Sequence, residues 1–283
     1  MHNHRFHFSP ASLPATGLVN RMRQASAPLY WTGLGLLLLC IPTLALAIWD
    51  ARLFQGVSVW LKPLKFQLST GVYLLTLALM MVSLSAEDLR SKKAQYVAWT
   101  GAITGVFEVA YVSFQGAQGL GSHFNLSTRF YANMYTLMGV GAVLLTSASL
   151  VCAILIARSR AYALPAALKL SVVLGLVLTF VLGTGFGAYL SAQRAGHWVG
   201  GVATDSGGLP LFTWSRSGGD LRVAHFFGIH AMHFIPAFAL ALGLSNVPPS
   251  TAKTAIWGFT LVFCGFCTWT FVQAVRGLPF LAV

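Results

Sequence analysis

The stretch AALKLSVVLGLVLTFVLGTGFGAYLSA, residues 166–192, decides the fold: it carries a single charge, Lys169, near its start. A bilayer core about 30 Å thick takes roughly 20 apolar residues as a helix. A continuous apolar run fits a helix and not the short alternating strands of a barrel. Six further stretches have the same character, at 29–49, 62–85, 95–116, 131–157, 222–244 and 253–275. The expected fold is all-α: a polytopic membrane protein, a seven-transmembrane-helix bundle preceded by a His-containing cytoplasmic tail over 1–28 and crossed by a long outer loop over 193–221.

Charge agrees. The 283 residues hold 18 Lys or Arg and 6 Asp or Glu, so 8% are charged, against about 25% in a soluble domain. That is too little to cover a soluble globule and excludes an ordinary cytosolic enzyme, a disordered chain and a disulfide-rich secreted domain. The net charge of +12 reflects scarce acids and basic residues flanking apolar runs, so no nucleic-acid partner is expected. Arg21 and Arg23, then Arg90, Lys92 and Lys93, then Arg158 and Arg160 fall at one end. The positive-inside rule makes that end cytoplasmic, with the N-terminus in and the C-terminus out. No removable signal peptide is read in the tail, where His2, His4 and His7 lie. The four cysteines fall within spans; Cys264 and Cys267 share a helix face, which fits small residues at a helix contact.

A charge inside a span is expensive and marks function. Five of the six acids lie at span ends or in loops, leaving Glu108 alone inside. Thr104, Glu108, Tyr111 and Gln115 repeat at helical spacing and share one stripe. The sixth span opens DLRVAHFFGIHAMHFIP, residues 220–236. Asp220 is the expected N-cap, and His225, His230 and His233 fit one broad face of a continuous helix. Glu108 and His230 come out at similar depth below the outer surface. One Glu with two or three His is a first shell for Zn, Fe or Cu, so His225, His230, His233 and Glu108 are the expected metal ligands, or haem b the expected cofactor. Tyr111 and Gln115 join Glu108 as candidate catalytic groups. His123, Asn125, Lys62, Lys65 and Arg222 are candidate cofactor- or substrate-binding residues. For the two lysines, headgroup anchoring weighs against clamping an anionic substrate. Gly183, Gly185 and Gly187 suit close helix packing or a flat cofactor.

The blocks WLKPLKF, SHFN and DLRVAHFFGIHAMHFIP resemble those of a group of uncharacterised multi-spanning bacterial membrane proteins. The resemblance implies a bacterial inner-membrane location and carries no activity. The first expectation is a membrane-embedded metal or haem protein of redox or hydrolytic chemistry, acting on a small or lipidic substrate. The alternatives are a proton-coupled transporter of a small or anionic solute and an integral subunit of a homo- or hetero-oligomer. A transporter is disfavoured by the lack of repeats and of a broken helix pair.

Overall fold

The computed structural model describes residues 15–160, 164–193, 196–245 and 247–282. Helices dominate: α1 (Ala15–Ala25), α2 (Ala27–Trp49), α3 (Leu61–Met81), α4 (Ala86–Arg90), α5 (Lys92–Ala117), α6 (Arg129–Arg158), α7 (Ala166–Ser191), α8 (Arg222–Ile229), α9 (Ala231–Leu244) and α10 (Pro249–Val275). Two antiparallel strand pairs, β1 (Leu53–Phe54) with β2 (Val57–Ser58) and β3 (Trp198–Val199) with β4 (Gly219–Asp220), decorate one end. Six helices are long and apolar enough to cross a membrane, seven if α8 and α9 form one bent span. The helix starts carry the chemistry expected of them. Ser26, Ser91 and Thr128 each accept a backbone N–H of the first turn, satisfying groups that have no partner inside the helix.

The helices pack in chain order. α2 lies on α3, α3 on α5, α5 on α6, α6 on α7, and α7 on both α8 and α9; α10 closes against α7, α8 and α9. At the basic end, beside Arg90 and Arg158, the core is apolar. Leu77, Met81, Val97, Cys152, Ile156 and Val172 are buried together there. Cys267 is buried against α9 residues in a second cluster, as a helix-contact residue should be. All four cysteines are free thiols.

Within the stretch read as a tail, 1–28, α1 occupies Ala15–Ala25 and α2 starts at Ala27. His2, His4 and His7 lie outside the described residues. The sixth span is not one helix: α8 and α9 meet at 53° around His230. The neighbouring helix accounts for the break. Gly175 and Gly183 on α7 leave no room for a Cβ, the first against Ala231 O and the second against the Ile229 side chain. The Thr179 hydroxyl then enters the gap, donating to Ile229 O at 3.3 Å and accepting Met232 N–H at 3.0 Å. One side chain thereby satisfies backbone groups that would otherwise be stranded in a medium without water.

Candidate functional site

The end opposite the apolar core is polar inside. The chain over 196–221 lies across it. Lys65 Nζ, from the second turn of α3, donates to Phe212 O at 2.8 Å and Thr213 Oγ1 at 2.9 Å. Phe212 stacks on Trp214 at 4.4 Å, and both rings meet Phe226 of α8. Phe226 in turn lies 4.3 Å from His230. The loop also reaches the β1–β2 hairpin, where Asp205 N donates to Gln55 O. Leu211 and Thr213 hold positive φ of 68° and 59°, a conformation costly for residues with a side chain. The loop is therefore a shaped lid.

Arg222 pins it. Its guanidinium donates to Asp220 Oδ2 at 2.7 Å, Asp205 Oδ1 at 2.8 Å and Thr213 O at 2.7 Å. Asp220 is not the N-cap residue, which is Leu221. It sits in β4, with 0% side-chain exposure, and accepts N–H groups from Ser215 and Arg222. His197 Nε2 approaches Asp205 Oδ1 at 3.4 Å. Burial holds the His197 imidazolium below its ordinary value, although Asp205 pulls the other way. Burial alone would raise Asp205, but the hydrogen bond from His197 and the charge of Arg222 hold it low. Burial, followed by the Lys62 charge, pushes His123 well below 6.5.

Beneath the lid, Lys62 and Lys65 turn inward and neither reaches for headgroups. Lys62 lies 5.9 Å from the Phe66 ring centre and has no hydrogen-bond partner among the described residues. Its charge disfavours protonation of His123. His123 sits between Phe66 and Tyr135, at 5.6 and 5.9 Å. Glu108, nine residues from the end of α5, lies roughly 14 Å deep by helix rise. It is 4% exposed, and its Oε1 has no hydrogen-bond partner among the described residues. Room for that oxygen comes from Gly141 on α6, where a Cβ would fall 2.5 Å away. Gln115 Nε2 donates to Tyr111 Oη at 2.7 Å along the same stripe, and Gln115 Oε1 is left bare.

The bend at His230 splits the three histidines. His225 faces α7, where its Nδ1 donates to Gly183 O at 3.1 Å, so its neutral ring leaves Nε2 unprotonated. Gly187 makes the space for it: a Cβ there would lie 2.9 Å from His225 Cε1. Gly183 and Gly187 thus serve close packing, whereas Gly185 faces open space. His233 turns to α3, and His230 packs between Phe226 and His233. The Thr76 hydroxyl donates to Val72 O at 2.8 Å, so in the 3.0 Å contact with His233 Nε2 the nitrogen donates. His233 Nδ1 then accepts from His230 Nδ1 at 3.2 Å, and His230 Nε2 is bare. The result is an ordered chain, His230 to His233 to Thr76, bridging two helices that do not pack on each other along their length.

The expected four-ligand set is not assembled. Both nitrogens of His233 are engaged, Glu108 faces α6, and α5 does not pack along α8 or α9. Among the described residues no three His, Cys, Asp or Glu side chains form a group suited to a metal. Asn125 holds its own turn, donating to Gly121 O and accepting from Ser127. Lys65 and Arg222 meet at Thr213, and Lys62 and His123 both lie against Phe66, while Glu108 sits deeper, beside Gly141. Asp205, His197, Thr213 and Thr76 had not been picked out. Only Asp205 carried a signal, as one of six acids, placed in a glycine-rich loop. Compared with known families, curated proteins and solved structures, the chain matches none.

Proposed function

We propose that this protein is a proton-coupled carrier of a small anionic solute in the bacterial inner membrane, with its N-terminus cytoplasmic. The observation that carries the reading is the broken span at His230. Discontinuous helices mark the binding sites of many secondary transporters, and this break feeds a hydrogen-bonded imidazole pair into a polar interior. Lys62, with no hydrogen-bond partner among the described residues, and Lys65 supply the attraction for an anion. Glu108 and the His230–His233 pair are groups able to gain and lose a proton. The basic cluster of Arg21, Arg23, Arg90, Lys92 and Lys93, in short segments flanking the spans, supports the orientation.

The test is flux in liposomes containing only the purified protein and a trapped pH dye. Acetate, phosphate and a dicarboxylate are offered under an imposed pH gradient. Uptake of one of them should follow the gradient and collapse with a protonophore. Glu108→Gln should uncouple it from pH. Equal, pH-dependent flux in wild type and Glu108→Gln ends the proposal.

A second reading, metal- or haem-dependent redox or hydrolytic chemistry, rests on the bare Nε2 atoms of His225 and His230. Elemental analysis and the visible spectrum decide it. Stoichiometric metal lost in both His225→Ala and His230→Ala would favour it over the carrier.

A further inference from the structure

At the basic end, α1, α2, α4 and α5 enclose a cleft of about 330 Å³. Arg23, Arg90 and Gln95 stand at its exposed rim, while Met81, Leu89 and Ala98 form an apolar floor. Among the described residues, neither arginine has an ion-pair partner. The acids on α4 are otherwise placed: Asp88 is held by Ser85 and Ser159, and Glu87 does not line the cleft. The height of the cleft relative to a bilayer is marked independently. Trp31 and Trp99, 54% and 55% exposed, and the exposed Tyr96 lie on α2 and α5 next to it, and exposed Trp and Tyr gather at the headgroup level.

We propose that this cleft binds an anionic glycerophospholipid, its phosphate held between Arg23 and Arg90 and an acyl chain on the apolar floor. Two guanidinium groups suit a phosphate oxygen pair, basic pockets between spans are known to take acidic headgroups, and a floor of Met81, Leu89 and Ala98 has no use for a free inorganic anion. The site lies at the opposite end from the carrier chamber and does not depend on that reading.

Native mass spectrometry of the detergent-purified full chain tests it. The probes are short-chain phosphatidylglycerol, phosphatidylcholine of the same chain length, and glycerol 3-phosphate. Phosphatidylglycerol should bind at least about tenfold more tightly than phosphatidylcholine. Each Arg→Gln change should weaken it about fivefold, and Arg23→Gln with Arg90→Gln about 30-fold. The Arg23→Lys, Arg90→Lys pair keeps the charge but loses the forked N–H geometry, so it should bind more weakly than wild type and more tightly than the double Gln variant, and Ala98→Leu, which fills the floor with both charges intact, should lose the binding. Lys253→Gln, a charge removed elsewhere at the same end, should change nothing. Equal loss in Lys253→Gln would mean surface potential alone. Displacement of the lipid by equimolar glycerol 3-phosphate would mean a soluble phosphate site. Either result, or undiminished binding in the double Gln variant, overturns the proposal.

Discussion

The two ends of this bundle are built on opposite principles. At the basic end, α3, α5, α6 and α7 meet through Leu77, Val97, Cys152, Ile156 and Val172, all buried, with cohesion spread over many weak contacts. At the lid end the same helices present Lys65, Glu108, Tyr135 and Gly187, and cohesion is concentrated in a few strong pairs around Arg222. The apolar end can lose one contact and lean on the rest. The polar end depends on each partner, because removing one leaves a charge buried and unmatched.

This contrast sets the order of expected effects. Leu77→Ala at the sealed end should cost about 3 to 4 kcal/mol through the cavity it leaves, read as a lower unfolding temperature in detergent, with solute binding by the remaining folded protein unaltered. Asp220→Asn should cost about 3 kcal/mol and release the lid, so that protease cuts within 196–221 before any other segment. Equal stability in the variant would mean that Arg222 does not anchor the loop. Gly141→Ala should cost about 1 to 3 kcal/mol by pushing on Glu108, and its signature is altered pH dependence of flux. Asn125→Ala should cost under about 1 kcal/mol and leave flux untouched.

Acid should separate the two ends without mutation. In the unfolded chain His123 and His197 take a proton near 6.5, whereas burial keeps both neutral in the fold to lower pH. Their contribution is complete above 6.5 and drains away as pH falls below it. Asp205 is held below its ordinary 3.8, so its share goes only as pH drops through that value. Hydrogen exchange followed downward from neutral pH should therefore show 196–221 loosening first, with the buried Val97–Ala98 stretch unchanged. Uniform loosening would contradict the assignment of His197 and Asp205 to the lid.

The sequence made the spans legible because apolar length is a one-dimensional property; the six long apolar helices fall within a few residues of expected segments. The inward placement of Glu108 was also readable, since a charge in a span has few places to go; Lys62 and Lys65, at a span end, read rather as headgroup anchors. The break at His230 was not. Nothing in VAHFFGIHAMHF forbids a straight helix, and Pro236 lies more than a turn beyond the bend. The cause is on another element, Gly175, Thr179 and Gly183 of α7, and is visible only once helix neighbours are known. The same holds for the metal set: one helical face was assumed for three histidines that the bend sends to two different neighbours.

The Thr179 hydroxyl has a mechanical meaning. A helix broken by its own sequence is a free joint, but this one is riveted: the bond from Thr179 to Ile229 O and the bond from Met232 N to Thr179 straddle the bend. Straightening the span would require extracting a side chain of α7, so α7, α8 and α9 must travel as one body. The seam to α3 is held by less: there His233 meets Thr76, and Lys65 meets the loop over 196–221.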